Sequence, residues 1–162
     1  MTRVFKVFHK PIWMQIEACM SAVELLESQG FGKFSPQCFL YYNTDQQLCY
    51  NLAGARLLMD MQLNNEKGIN GVRAFSYKDQ VQDFALDYNV PYEAVSKFES
   101  RMRLLEQFNF AKLLELELIH PHFYSAAVTQ FDSMPLVNIN DNPAKWRMNM
   151  HALIKLAKDM GV

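Results

Sequence analysis

Residues Asn89-Val90-Pro91 interrupt two apolar stripes, and this break constrains the fold more than any other stretch of the chain. Upstream of it, Val81, Phe84, Ala85 and Tyr88 are spaced by three, one and three residues, which places them on one face of a helix. Ser76 is a natural N-cap for that helix, because a short polar side chain can accept from a free backbone N–H. Asparagine tolerates the left-handed conformation that often closes a helix. Pro91 fixes its own φ and biases Val90 away from helix, so a second helix can begin at Pro91. Val95, Phe98 and Met102 renew the stripe beyond the turn. The spacing predicts two helices crossing at a fixed angle, with Ala85 small enough to sit at the crossing.

The remaining chain supplies partners for this pair. Val4, Phe5, Val7 and Phe8 are β-formers, and a short strand is expected within residues 3–9. Ile12, Trp13, Ile16, Cys19, Met20, Val23 and Leu26 then recur at helical spacing up to Gly30, while Glu17, Glu24 and Glu27 lie off that stripe and face solvent. Ser35-Pro36 is a turn, and residues 38–42 form an extended aromatic run. Asn43-Thr44-Asp45 has the composition of a helix start, with Leu48, Leu52, Ala55, Leu58 and Met61 directed to the core and Gly54 marking a close crossing. A polar connector with an Asn70-Gly71 pair follows, so a sub-division near residues 64–72 is conceivable within a single 1–162 domain.

After the turn, Leu105, Phe108, Ala111 or Lys112, and Leu116 keep the helical phase. The second helix is therefore expected to run to about Ile119, with Asn109 as a bend or an interruption and residues 77–119 as one unit. Residues 123–131 are expected as a short strand or a packed loop. Asp141 or Asn142 caps a final helix with Pro143 in its first turn and Trp146, Met150, Leu153, Ile154 and Ala157 on its apolar face. The fold class predicted is mainly α: about five helices in one compact globule with one or two short β-strands.

Composition narrows the function. Half the residues are hydrophobic and 13% aromatic, enough for a packed core rather than a disordered chain. Sixteen basic and 17 acidic residues give a net charge of −1, so nucleic acid can be held only through a local patch and not by bulk charge. Three cysteines, Cys19, Cys38 and Cys49, without CxxC spacing point to free thiols in a reducing, cytoplasmic compartment. The first residues lack the apolar core of a signal peptide, and no run approaches the ~20 apolar residues of a membrane span. Ten methionines suit an irregular core or an adaptable binding surface.

The paired stripes resemble the helix-turn-helix of repressor-like DNA-binding domains. The resemblance rests on Gln80 or Gln82 early in the first helix, Ala85 at the crossing, Asn89 where glycine is usual, Val90 after it, and the run Val95-Ser96-Lys97-Phe98-Glu99. It is confined to residues 80–101. It implies that the start of the second helix enters a major groove, with Tyr92, Glu93, Ser96 and Lys97 toward base edges and Arg101 and Arg103 toward phosphates. Lys78 would add a backbone contact, and a homodimer would match a palindromic site. The segment between Lys78 and Glu117 nevertheless carries five basic against eight acidic residues.

Other constellations are sparser. Glu117, His120 and His122 have a Glu-x-x-His spacing that di-iron bundles use, but no second pair accompanies them, and polar histidines at a helix end are the simpler expectation. His9 and His151 have no paired signature. No GxSxG, HExxH or phosphate-binding glycine loop occurs, and no catalytic residue, metal ligand or cofactor is assigned. Lys145, Arg147, Lys155 and Lys158 make the last helix the most basic segment. The expectation is a small intracellular nucleic-acid-associated regulator that acts by binding. The alternative is a protein-binding module, an inhibitor or adaptor, with no nucleic-acid binding and no membrane contact.

Overall fold

The computed structural model describes residues 7–36, 39–64, 76–131 and 142–162. Seven α-helices and a small three-stranded sheet occupy these residues: α1 (Ile12–Ser28), β1 (Lys33–Phe34), β2 (Leu40–Tyr42), β3 (Leu48–Tyr50), α2 (Leu52–Asn64), α3 (Tyr77–Tyr88), α4 (Tyr92–Glu106), α5 (Phe110–Glu115), α6 (Pro121–Phe131) and α7 (Pro143–Met160). The mainly α class is as expected. Apolar side chains from these helices, from β2 and β3, and from Val7 form one buried cluster. The possible sub-division near residues 64–72 lies almost wholly outside the described residues.

The sheet order is β1-β3-β2, with β3 parallel to β1 and antiparallel to β2. Residues 43–45 are not a helix start. Asn43 Oδ1 accepts from the amides of Asp45 and Gln47, and Gln46 takes φ +63°, so the polar cluster turns a hairpin between β2 and β3. The side-chain bonding that caps helices also closes turns, and here the turn prevails because Leu48, Cys49 and Tyr50 are all buried as a strand. The helix begins later, at Leu52. Gly54 does mark a close approach: a Cβ there would lie 2.6 Å from the carbonyl oxygen of Phe39, so the neighbour is the chain entering β2 and not another helix.

Five helices, α1, α3, α4, α5 and α7, end by one device. The amides of Gly30 and Phe31 donate to Glu27 and Leu26, and the same pair of bonds closes α3 at Asn89 and Val90, α4 at Phe108 and Asn109, α5 at Glu117 and Leu118, and α7 at Gly161 and Val162. The residue at the bend has positive φ in each: Gly30, Asn89, Phe108, Glu117 and Gly161. This is the Schellman closure, which satisfies two terminal carbonyls. Gly30 and Asn89 end helices as the sequence predicts. Phe108 and Glu117 do not advertise themselves, since bulky residues avoid this conformation. That is why one helix to Ile119 was the expectation and two, α4 and α5, are found, with Asn109 Oδ1 accepting from Lys112 N to start the second. Phe108 repays its strained backbone by packing its ring 5.3 Å from Phe131 and 5.9 Å from Phe110.

Residues 123–131 belong to helix α6 and not to a strand. Pro121 opens this helix rather than merely ending the previous one, and His120 Nδ1 accepts from His122 N at 3.1 Å as a cap. At the N-terminal end, Val7–His9 form a 3-10 turn rather than a strand, and residues 3–6 lie outside the described residues. The Asn142 cap and the Pro143 start of α7 are as expected.

Glu117 is exposed and makes its bend at φ +57°. Replacing it with glycine removes the left-handed penalty, so Glu117→Gly is expected to stabilise the fold by about 0.5–1 kcal/mol, read as a raised urea midpoint at unchanged slope.

Candidate functional site

The α3–α4 pair has the turn that the sequence predicts. Ser76 Oγ accepts from Asp79 N, Asn89 is left-handed at φ 56°, and α4 starts at Tyr92 after an extended Pro91. Val81, Phe84, Ala85 and Tyr88 of α3 are buried, as are Val95, Phe98 and Met102 of α4.

What surrounds α4 sets it apart from a free reading helix. It packs against α2, α3, α5 and the 3-10 turn. Of the six residues expected to meet nucleic acid, only Glu93 and Lys97 are exposed. Tyr92 is half-buried against the core. Ser96 is half-buried with its Oγ 3.4 Å from the Tyr77 hydroxyl. Arg101 turns inward: Nε donates to the Leu118 carbonyl at 2.8 Å, and Nη1 donates to Gln15 Oε1 at 3.1 Å. Burial pulls its guanidinium below the ordinary arginine value. Arg103 donates to Glu99 one turn earlier, at 3.2 Å. Lys78 is exposed at the start of α3.

The residues that organise this region are buried polar groups, none of them among the residues expected to meet nucleic acid. Glu99 is 1% exposed and accepts from Asn51 Nδ2 at 3.0 Å, from the Tyr77 hydroxyl at 3.0 Å and from Arg103. Glu106 is 3% exposed, and its Oε1 accepts from the Leu52 amide at 3.1 Å. Asn51 Oδ1 accepts from Gly54 N, so two side chains satisfy free amides at the start of α2. The Glu106 carbonyl also accepts from Trp146 Nε1 at 2.8 Å, which fastens α7 to the end of α4. A second cluster joins α2 to α3: the Tyr88 hydroxyl donates to Asp60 Oδ2, and Arg56 Nη2 lies 2.8 Å from Asp60 Oδ1. A signal for these residues did exist. Glu99 lies four residues after Val95 and Glu106 four after Met102, so both carboxylates are in phase with the apolar stripe.

Burial governs the chemistry of these groups. It raises the Asp60 carboxyl, an effect that the Tyr88 hydrogen bond and Arg56 oppose. Burial, then the Asp60 charge, holds the Tyr88 hydroxyl well above the ordinary tyrosine value. Tyr77 is raised chiefly by burial, and Tyr50 is pushed up to about 12 for the same reason. The Cys19 thiol is also raised by burial, which disfavours the reactive thiolate.

The histidine pair does not converge on a metal. His120 and His122 stack at 5.0 Å with 13° between their rings, so their in-plane lone pairs run side by side, and His120 Nδ1 is already used as a cap. Glu117 sits in the bend that closes α5. Among the described residues, no group of three His, Cys, Asp or Glu side chains has the arrangement to hold a metal ion.

On α7, Arg147 pairs with Glu27 of α1 at 2.7 Å, Lys155 pairs with Asp159 at 2.9 Å, and Lys158 lies 4.9 Å from the centre of the Trp13 ring. Three of its four basic side chains are thus engaged with the fold itself. Among the described residues, no helix is long and apolar enough to cross a membrane. No family model, no curated protein and no solved structure matches the chain.

Tyr88 gives a pH-dependent signature. Its folded-state pKa is raised, so its protonated hydroxyl contributes stability in full below the ordinary tyrosine value of about 10, and that contribution is lost as pH rises through the higher folded value. Tyr88→Phe is expected to cost about 1–3 kcal/mol at neutral pH by leaving Asp60 short of a donor. It is also expected to flatten the loss of stability above pH ~10, as measured by denaturant titration across pH.

Proposed function

We propose that this chain acts as a protein-binding module, an inhibitor or adaptor, that meets its partner through the outward face of α3 beside the α3–α4 turn. The observation that carries this reading is the use of α4. Its two arginines are spent on Leu118, Gln15 and Glu99, which leaves Lys97 beside Glu93 as the cation of its exposed start. A groove-reading helix needs the opposite arrangement, because phosphate contacts supply most of the affinity for nucleic acid.

The neighbouring helix offers a different kind of surface. Leu86 is 72% exposed in the last turn of α3, on its solvent side, with Gln82, Asp79 and Asp83 one or two turns before it. A large apolar side chain ringed by polar groups is the pattern of a contact anchor and rim. The carboxylates favour a partner that presents lysine or arginine around an apolar recess, and they disfavour phosphate. Mechanism on this reading is occupancy: the partner is held or blocked, and no bond is made or broken.

The test compares affinity capture with wild type and Leu86→Lys, both checked by circular dichroism. A protein retained by wild type and lost by at least tenfold with the variant supports the reading. Equal capture by both proteins would rule out the Leu86 face, and duplex DNA bound at low salt with a steep salt dependence would favour the nucleic-acid reading instead.

A further inference from the structure

Two helices of this chain present one kind of surface with opposite charge. On α3, Leu86 stands exposed, and Asp83, Gln82 and Asp79 lie three, four and seven residues before it, on the same face. On α7, Met148 is 61% exposed, and His151, Ala152 and Lys155 lie three, four and seven residues after it. Gln82, Asp79, His151 and Lys155 are exposed, and Asp83 and Ala152 are half-buried. Helix α3 carries three aspartates and one lysine, whereas α7 carries four cations and one aspartate, so the two helices differ in sign. The exposed Leu25 and Leu116 do not offer this complement, because they stand beside Glu24 and beside Glu115 and Glu117.

The two spacings mirror each other. When the helices are laid antiparallel with Leu86 against Met148, Asp83 falls opposite His151 and Gln82 opposite Ala152. Asp79 then falls opposite Lys155, about 10 Å along both axes from the apolar pair. Ala152 has no side chain beyond Cβ, which leaves room beside Met148 for Leu86. Lys155 already pairs with Asp159, but the two side chains are 78% and 62% exposed, so that bond is weak and the ammonium has further donors to offer. The net charge of −1 adds little repulsion between copies of the chain.

We propose that α3 of one copy docks antiparallel on α7 of a second copy of this chain, with Leu86 on Met148, Asp83 on His151 and Asp79 on Lys155. The inference rests on the α3 reading given above and supplies that face with an occupant. The contact joins two different surfaces, and each copy carries both of them. A single helix pair is smaller than the roughly 800 Å² per partner of a standard interface, so the association is weak and salt-sensitive. It also competes with any other protein that uses Leu86.

Sedimentation equilibrium from about 10 μM to 1 mM protein covers the affinities expected of such a contact. Wild type should self-associate, and added salt should weaken it. Leu86→Lys and Met148→Glu each set like charges against the facing helix, so each should lower the association constant about tenfold or more. Asp83→Lys and His151→Glu should each lower it several-fold, while the chain carrying both should recover, because the reversed charges attract again. Recovery requires a folded chain, so a folding defect cannot imitate it. The proposal is overturned if wild type stays monomeric at low salt, if Leu86→Lys weakens association and Met148→Glu does not, or if the double variant associates no better than the single ones. None of these outcomes bears on capture of a different protein through Leu86, which the affinity comparison above decides separately.

Discussion

Two carboxylates on α4, Glu99 and Glu106, hold the start of α2, and the arrangement of the other helices depends on them. A helix leaves its first amides without partners. Here Glu106 takes the Leu52 amide directly, and Glu99 fixes Asn51, whose own side chain takes the Gly54 amide. Negative charge at this end also opposes the helix dipole, an interaction worth about 0.3–2 kcal/mol when partly buried. Buried carboxylates are costly unless each oxygen is engaged. Glu99 meets that demand with an amide, a phenol and a guanidinium.

Once α2 and α4 are joined, side-chain hydrogen bonds tie further elements to α4. Gln15 of α1 accepts from Arg101 and donates to the Val7 carbonyl, which brings the N-terminal turn into the core. Arg101 also accommodates the Leu118 carbonyl just before α6. Trp146 ties α7 to the last turn of α4. Tyr77 places α3 against its start. A helix engaged in this way is an interior strut. Glu99, Arg101 and Glu106 are aimed at other parts of the fold, whereas Leu86 of α3 stands exposed.

Much of this was legible in the sequence wherever a residue has one dominant preference. Pro91, Asn89, Ser76, Asn142 and Pro143 announced their helix boundaries, and the apolar stripes named the buried faces of α1, α3, α4 and α7. Errors fell where local preference and tertiary need diverge. Asn43-Thr44-Asp45 suits a helix cap and a hairpin turn equally, and the burial of Leu48–Tyr50 decides between them. Phe108 and Glu117 adopt a backbone that their types disfavour, so Asn109, the cap of α5, is the one sequence signal of the α4–α5 break. The expected reading residues Arg101 and Arg103 are cationic and well spaced, but charge and spacing do not say which way a side chain turns. Their inward course is set by Gln15, Leu118 and Glu99, which come from distant or unremarkable positions.

Helix α4 is used from the inside, and equilibrium denaturation of Glu99→Ala beside Lys97→Ala tests that most directly. Glu99 and Lys97 lie two positions apart on the same helix, one buried and one in water. Loss of Glu99 strands the Asn51 amide and frees Tyr77 and Arg103, so it should lower stability by about 2–4 kcal/mol, while Lys97→Ala should stay within about 0.5 kcal/mol of wild type. Equal, small effects at both positions would contradict it, since they would mean that this face of α4 is open to solvent.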